Sequence, residues 1–433
     1  MNIKYLRISL FSLVLFVAGV SLAAATELYD KLIALKGVIS VEELDKGFYE
    51  ERYAVMFEQP LDHKNPSKGH FEQRFVVAHA GFDRPSLIVT EGYGGARALN
   101  PRFREELSAR LNTNQIFVEH RYFGESTPNP RNWNYLNAEN AAADLHAIRQ
   151  ALDEIYPAKW IGSGISKGGE NALIYGMYYP KDVDVTVAYV GPICFGVEDG
   201  RHEPFLEQVG TPEERAAIRE FQTEVLKRRK ELVPLFDEYC KSKGYRFRTN
   251  IDEIFDLCVL EYSFSMWQWG TPVSVIPASD SPHQELLDHL IATVSPDYFA
   301  INDEPTFFVQ AQRELGYYGY DTTPFEGLLS IKSAKGYLPR VLLPDDARRI
   351  RFSDGLSKKI VAYYKTHDPR LICIYGENDP WSAAMLDSAL FVGKQNMKLY
   401  VEPGGSHRAR INTQSEEIQN QIWKTLEEWL FGI

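Results

Sequence analysis

The sequence predicts an α/β fold in which a mainly parallel sheet is interrupted by a helical insertion. From residue 115 onward, strand-like apolar segments alternate with segments whose apolar residues recur at helical spacing. Such alternation implies parallel strands joined by right-handed crossovers. Residues 197–344 then lack strand patterns and contain long charged amphipathic stretches such as 212–243. An eight-strand sheet interrupted by helices after its sixth strand is the layout of an α/β-hydrolase fold with a mainly helical cap.

The individual elements follow from composition and spacing. Eight segments have the β-branched and aromatic content of strands. In chain order they are residues 53–57, 72–79, 87–90, 115–119, 160–164, 183–190, 371–375 and 398–401. Helical spacing marks residues 138–152, 171–178 and 416–430. We therefore expect a catalytic domain built from residues 26–196 and 345–433, and a helical cap domain built from residues 197–344.

Residues 1–25 have the composition of an export signal. Lys4 and Arg7 precede an apolar stretch at 8–22, and the alanines at 23–25 suit cleavage. The apolar stretch is shorter than the roughly 20 residues that span a bilayer, although a single membrane anchor is the alternative. We expect cleavage near Thr26, no stable membrane insertion, and an exported protein that is periplasmic or secreted.

Net charge and cysteine content exclude nucleic-acid binding and disfavour metal binding. The 433 residues carry a formal net charge of −12, so the sequence lacks the excess of basic residues typical of a nucleic-acid-binding protein. Cys194 and Cys373 lie in apolar strand-like runs and are expected to be buried. Cys240 and Cys258 flank a short loop between helical segments and could pair in an oxidising compartment. The sequence contains no CxxC, HExxH or His/Cys cluster, so neither a metal site nor a cofactor is expected.

Ser166 is the predicted nucleophile. Residues 164–168 read G-I-S-K-G, which matches G-x-S-x-G, and they fall where a predicted strand turns into a helix. Glycines at such a turn let the helix approach the strand closely, so that the Ser hydroxyl is presented at the edge of the sheet. The alternative is a glycine-rich turn with no chemistry, which the position after the fifth predicted strand disfavours.

A serine nucleophile needs a base, and the base needs a third group to hold its tautomer. In this fold the chain order is Ser, then acid, then His. His407 lies in a glycine-rich loop just after the last predicted strand, which makes it the predicted base. The acid should lie just past the seventh strand, where Glu377 and Asp379 are available. We predict Asp379, because the turn opened by Gly376 should bring the later carboxylate back over the sheet.

Acyl hydrolysis also requires hydrogen-bond donors for the oxyanion. The amide after the nucleophile, on Lys167, is the first predicted donor. The loop at residues 90–95, T-E-G-Y-G-G, follows the third predicted strand and should supply the second donor from Tyr93 or Gly94. A plain glycine turn is the alternative for that loop.

Three segments together resemble a known family. Residues 119–126 (E-H-R-Y-F-G-E-S), 164–169 (G-I-S-K-G-G) and 377–381 (E-N-D-P-W) are similar to segments of the secreted bacterial prolyl tri/tetrapeptidyl aminopeptidases. More distantly, they resemble the lysosomal Pro-Xaa carboxypeptidase and dipeptidyl peptidase II group. The resemblance extends from about residue 53 to the C-terminus. It implies a serine exopeptidase that releases short peptides from free N-termini after Pro, with peptides as its partners.

The resemblance and the chemistry of chain ends suggest further residues. An exopeptidase of this type must bind a free α-amine, and Glu314 and then Glu261 are the predicted carboxylates. Trp381, Trp267 and Trp269 are the predicted rings for a proline side chain, which stacks on flat faces. The last two, like Tyr317 and Tyr318, could equally be cap core.

His120 and Arg121 are expected to tie loops together through hydrogen bonds rather than to take part in catalysis.

Other functions remain open at the level of sequence. A Pro-specific carboxypeptidase or dipeptidyl peptidase would differ in whether the cap binds a substrate carboxylate or an amine. An esterase or lipase fits less well because the insertion is heavily charged. A catalytically silent binding protein is disfavoured by the intact Ser166, Asp379 and His407. Composition does not determine the oligomeric state.

Overall fold

The computed structural model describes residues 26–302 and 305–433. Within them, nine strands form one sheet: β1 (Val38–Glu43), β2 (Glu51–Pro60), β3 (His70–His79), β4 (Ser86–Thr90), β5 (Asn114–Val118), β6 (Trp160–Ile165), β7 (Val185–Tyr189), β8 (Leu371–Gly376) and β9 (Met397–Glu402). Their order across the sheet is β1-β2-β3-β5-β4-β6-β7-β8-β9. The first three pairings, from β1 to β5, are antiparallel, and all later pairings are parallel. This mixed sheet confirms the α/β-hydrolase fold class.

The described helices are α1 (Glu27–Ile33), α2 (Glu106–Leu111), α3 (Ala138–Ala151), α4 (Lys167–Tyr178), α5 (His202–Leu206), α6 (Pro212–Lys227), α7 (Arg229–Ser242), α8 (Ile251–Trp269), α9 (His283–Thr293), α10 (Thr306–Gln310), α11 (Gly355–Thr366) and α12 (Glu416–Phe431). α10 continues directly into a π-helical turn, Ala311–Leu315. In the described part of the chain, the segment between β7 and α11 contains helices and no strand.

Two differences from the sequence expectation have physical reasons. β1 is an additional edge strand whose side chains are all partly or fully exposed, so it has no buried alternation that would mark it. α4 begins at Lys167, four residues earlier than the apolar pattern indicates, because Gly168 and Gly169 continue the helix without contributing apolar side chains.

The central strands are buried on both faces of the sheet. All five residues of β4 are buried, with Leu87 and Val89 on one face and Ile88 on the other. The first face packs against α12, and the second packs against α3, α4 and α11. A third apolar cluster fills the helical region between β7 and α11 and extends to Trp381. Burial on both faces is the usual condition of parallel strands, and it holds the sheet's edge in a fixed position.

Among the described residues, no helix combines the length and apolarity needed to cross a membrane. The predicted export signal at residues 1–25 lies outside the described residues.

The expected pairing of Cys240 with Cys258 is not formed, and all four cysteines are free and buried. Both residues face the apolar cluster of the helical region and pack as small hydrophobic groups. Burial raises the pKa of the Cys240 thiol to about 12 and that of Cys258 well above its usual value. Because the thiolate is the reactive form, both thiols are inert in the folded protein.

We expect unreduced protein to titrate four thiols per chain in denaturant and almost none when native, because all four are buried. A colorimetric thiol assay in both conditions measures this. Two thiols in denaturant would show that a disulfide exists.

Candidate active site

Four loops that carry predicted site residues leave the sheet at the same edge. Residues 91–95 follow β4, Ser166 follows β6, Asp379 follows β8 and His407 follows β9. The carboxyl ends of parallel strands meet at one edge, and this is where open α/β sheets bind ligands. The fold therefore places all four segments on the same side of the molecule.

Ser166 lies in a strained turn between β6 and α4. Its φ is 59° and its ψ is −125°, a region that residues other than glycine rarely occupy. The Ser166 amide donates to the Tyr189 carbonyl (2.8 Å), and the Ser166 carbonyl accepts from the Glu170 amide (2.9 Å). These bonds on both sides hold the turn in the sharp geometry that exposes a nucleophile's hydroxyl.

The glycines around Ser166 are required by close packing. A Cβ on Gly164 would lie 2.2 Å from the Gly168 carbonyl oxygen, and one on Gly169 would lie 2.4 Å from the Tyr189 carbonyl oxygen. Both distances are far inside van der Waals contact. The helix can begin immediately after Ser166 only because these positions have no side chain.

Asp379 and His407 form a buried pair. The Asp379 Oδ2 atom lies 2.7 Å from His407 Nδ1, and Asp379 Oδ1 accepts from the Trp381 amide (3.1 Å). An ionised carboxylate only accepts, so Nδ1 carries the imidazole proton and Nε2 carries the lone pair that a general base needs. The His407 amide donates to the Gln268 carbonyl (2.9 Å), which fastens this loop to α8.

Glu377, the alternative acid, forms hydrogen bonds with the backbone of the loop that follows β9. Its Oε2 atom accepts from the Gly404 amide (2.8 Å), and its own amide donates to the Glu402 carbonyl (3.0 Å). Glu377 therefore joins the turn after β8 to the loop that carries His407, while Asp379 contacts the imidazole itself.

The oxyanion donors differ in part from expectation. Lys167 is the first residue of α4, where amides have no carbonyl partner within the helix. Of the two predicted donors in the loop after β4, Tyr93 or Gly94, the Tyr93 amide is already engaged, because the amides of Gly92 and Tyr93 both donate to Glu91 Oε1 at 3.0 Å. The second oxyanion donor stays a prediction. The Tyr93 side chain lines a recess together with Ser166 and Lys167. Tyr93 thus reaches the predicted nucleophile through its side chain.

A recess beside Ser166 has mainly apolar walls. Its other lining residues are Tyr93, Lys167, Glu170, Pro192, Cys194, Phe307, Leu315, Gly316 and Trp381. Trp381 is the predicted substrate-binding ring that the structure brings to the nucleophile. Glu170 is not among the residues predicted from the sequence. Its position on α4, four residues after Ser166, is a signal that could have revealed it. Sequence reasoning also misses Phe307, which lies in the insertion without any local motif.

The other two predicted tryptophans lie outside this recess. The Trp269 ring is 46% exposed, and its centroid lies 6.1 Å from that of His407. Trp267 is buried against Gly210 and lines a separate cavity between α6 and α8. The structure therefore places Trp269 at the rim of the site and Trp267 in the interior of the helical region.

Glu261 is enclosed by hydroxyl groups in the helical region. It is 5% exposed, and its carboxylate accepts hydrogen bonds from Tyr320 (2.7 Å), Tyr318 (3.0 Å) and Ser265 (3.2 Å). Burial raises the pKa of Glu261 to about 7, although these hydrogen bonds oppose the rise. Glu261 does not line the recess beside Ser166.

Glu314, like Glu261, does not line the recess beside Ser166, although its chain neighbour Leu315 does. The Glu314 Oε1 atom accepts from the Ala138 amide (2.7 Å) at the start of α3, and the residue lines a surface groove. Burial raises the pKa of Glu314 to about 7, and the nearby Lys167 opposes the rise. Glu314 in turn contributes to the raised pKa of Glu170.

His120 and Arg121 have the loop-tying role expected of them. The guanidinium of Arg121 binds both carboxylate oxygens of Asp144 (2.6 and 2.7 Å) and donates to the carbonyls of Leu61 and Tyr135. The His120 amide donates to the Tyr93 carbonyl (3.1 Å), which connects the loops after β5 and β4.

Comparison with known proteins gives one family and several relatives. The family model of PS-10 peptidase S37 matches residues 22–429. The prolyl tri/tetrapeptidyl aminopeptidase of Streptomyces mobaraensis is 30% identical over 401 residues, which cover 90% of this chain and 82% of that protein. The lysosomal Pro-X carboxypeptidase of Mus musculus is 31% identical over 160 residues, which cover 33% of each chain. The crystal structure of proline iminopeptidase from Mycobacterium smegmatis aligns with a TM-score of 0.44 at 14% identity, covering 91% of this chain and 99% of that one.

The environment of Glu261 predicts how stability changes with pH. The folded-state pKa is raised from 4.5 to about 7, so the folded protein retains a proton that the unfolded chain has lost between these values. Stability should therefore fall by about 2 to 3 kcal/mol between pH 5 and pH 8 because of this group. Glu261→Gln should remove that loss, as measured by urea unfolding at both pH values.

Glu238→Gln on the exposed surface of α7 is the matched control and should keep the wild-type pH dependence. A Glu261→Gln protein with the same loss as wild type would show that the buried carboxyl does not titrate in this range.

Proposed function

Because this chain belongs to the PS-10 peptidase S37 family and is a serine peptidase, we propose that it releases tri- and tetrapeptides from free N-termini by cutting after Pro. The proposed catalytic residues are Ser166, His407 and Asp379. The proposed specificity for tri- and tetrapeptides that end in Pro is the one that the name of the Streptomyces relative states. That relative is 30% identical over most of both chains.

The observation that carries the catalytic part is the strained backbone of Ser166 beside the buried His407–Asp379 pair. A serine at positive φ costs on the order of 1–3 kcal/mol, and such strain persists where the surrounding structure enforces it, often at active sites. The 2.7 Å contact between Asp379 Oδ2 and His407 Nδ1 sets the tautomer that a base requires.

The proposed reaction proceeds through an acyl-enzyme. Ser166 Oγ attacks the carbonyl carbon of the scissile bond while His407 Nε2 takes the hydroxyl proton, and Asp379 stabilises the imidazolium that forms. The carbonyl oxygen gains negative charge, and the Lys167 amide and the Tyr93 hydroxyl are the proposed donors to it. His407 then gives its proton to the leaving amine. Water attacks the resulting ester with His407 again as base, which releases the peptide and restores Ser166.

The recess beside Ser166 is the proposed site for the proline ring. Trp381, Phe307 and Tyr93 present aromatic rings there, and Pro192 adds a further apolar wall. A pyrrolidine ring is compact and apolar, so it gains from burial against flat faces. Trp269, at the rim beside His407, is proposed to contact substrate residues outside the recess.

Glu314 is the proposed acceptor for the substrate's α-ammonium group. Its carboxylate interacts electrostatically with Lys167 and Glu170, which both line the recess. Glu261 is the second candidate, but its carboxylate is already bound by Tyr318 and Tyr320.

We also propose that the chain is exported, because residues 1–25 have the composition of an export signal.

Ser166→Ala should reduce kcat/KM for Ala-Ala-Pro-p-nitroanilide to below roughly a thousandth of wild type, because the covalent route is lost. The melting temperature should change little, since alanine retains the backbone bonds that hold the turn. Substantial remaining turnover would contradict the role of Ser166.

For specificity, cleavage of Ala-Ala-Ala-p-nitroanilide should be much slower than that of the Pro substrate. Faster release of a C-terminal residue from an N-blocked peptide would instead support a carboxypeptidase.

The Glu314 proposal predicts a pH-dependent preference for free N-termini. Glu314 is ionised above about pH 7, whereas a peptide α-amine is protonated below about 7.7–8.0. The ratio of rates on free and N-acetylated Ala-Ala-Pro-p-nitroanilide should therefore be largest between these values. Glu314→Gln retains an acceptor for the Ala138 amide but loses the charge, and it should lower that ratio roughly 10- to 100-fold.

Glu139→Gln, on the rim of the same surface groove, is the matched control and should retain the wild-type ratio. Equal cleavage of both peptides by wild type would contradict the aminopeptidase function.

A further inference from the structure

The side chain of Lys167 is buried beside the nucleophile and reaches away from it. Lys167 is 2% exposed, and its Nζ atom donates to the Gly92 carbonyl oxygen at 2.5 Å. A Cβ on Gly92 would lie 2.7 Å from the Lys167 Cβ, so the loop after β4 rests directly on the lysine stem. One residue of α4 therefore holds the opposite loop through both packing and a hydrogen bond.

The amino group of Lys167 also lies over the ring of Tyr93, and burial lowers the pKa of this amino group to about 7. Nζ lies 5.7 Å from the centroid of that ring and 5.4 Å from the centroid of Phe123, within the range of cation–π attraction. The same Tyr93 ring lines the recess beside Ser166. The amino group of Lys167 thus lies against the residue whose hydroxyl is proposed to donate to the oxyanion.

Glu91 completes the support of this loop from the other side. Its Oε1 atom accepts from the amides of Gly92 and Tyr93, and its Oε2 atom binds Arg97 (2.7 Å). The Glu91 carboxylate therefore holds two amides of the loop, and the Lys167 side chain holds the Gly92 carbonyl. Of these two groups, only Lys167 belongs to α4, the helix that begins directly after Ser166.

We infer that Lys167 is a positioning residue whose side chain fixes the Tyr93 hydroxyl at the distance from Ser166 needed to stabilise the oxyanion. The inference rests on the proposed function, because it assumes that Tyr93 and the Lys167 amide are the two donors. Lys167 would then act twice, through its amide on the oxyanion and through its side chain on the second donor. Methionine has a similar stem but neither the charge nor the donor, so it would fill the space without holding the loop.

The test compares Lys167→Met with wild type in the cleavage of a substrate and in the binding of two inhibitors, an aldehyde and a product. We expect kcat for Ala-Ala-Pro-p-nitroanilide to fall about 10- to 100-fold with KM changed less than about threefold, since a transition-state contact is weakened. The peptide aldehyde Ala-Ala-prolinal forms a bond from Ser166 Oγ to its carbonyl carbon, while the serine proton passes to His407 and the carbonyl oxygen becomes an oxyanion. Its inhibition constant should rise by the same factor as kcat falls. The inhibition constant of the product Ala-Ala-Pro should stay unchanged.

Two further variants keep the test decisive. Lys243→Met removes an amino group that lies 5.6 Å from the Tyr239 ring centroid, at the end of α7 and outside both the recess and the groove of Glu314, and should behave as wild type. Gly92→Ala places a Cβ 2.7 Å from the Lys167 Cβ, which forces the loop and the lysine stem apart, so it should reproduce the pattern of Lys167→Met even if that protein folds poorly. Wild-type kcat and aldehyde affinity in Lys167→Met would overturn the inference. So would an equal loss of affinity for aldehyde and product. Neither result bears on the proposed function, which is tested separately by the activity of Ser166→Ala and by the cleavage of free and N-acetylated peptides by wild type.

Discussion

The architecture of the site depends on one close approach, that of helix α4 to the ends of the strands beside it. The helix begins directly after Ser166, and this leaves no room for a Cβ at Gly164 or Gly169. The backbone at Ser166 absorbs the sharp change of direction by adopting a positive φ. Sheet burial on both faces supplies the rigidity that keeps this geometry in place. The positions of the proposed nucleophile, of the start of the helix and of the proposed oxyanion donor on Lys167 all follow from the same turn.

The site combines a rigid edge of the sheet with walls from the helical region. Ser166, Asp379 and His407 all follow parallel strands, whereas Phe307 and Leu315 come from the helices between β7 and α11. The His407 amide donates to Gln268 at the end of α8, so the two parts meet at the base itself. Such a division lets the chemistry stay constant while substitutions in the helical region alter which substrates fit.

Sequence reasoning reached the elements that local patterns define. The eight strands from β2 to β9 and the positions of Ser166, Asp379 and His407 follow from apolar periodicity and from chain order within a known layout. It missed β1, whose exposed side chains carry no alternation. It offered Tyr93 or Gly94 as the second oxyanion donor without revealing that Glu91, two residues before Tyr93, accepts the Tyr93 amide. Phe307 and the hydroxyl cage of Glu261 depend on contacts between distant segments, which no local pattern encodes.

The central claim is that Ser166 is a nucleophile activated by His407 and Asp379. A fluorophosphonate reacts covalently with activated serines, so intact mass and peptide mapping measure the claim directly. We predict one adduct per chain, on the peptide that contains Ser166, with labelling slowed at least a hundredfold in His407→Ala and in Asp379→Asn, a loss of the order seen when a catalytic base is removed. An adduct on any other residue, or equal labelling rates in the wild type and the His407→Ala protein, would contradict the account.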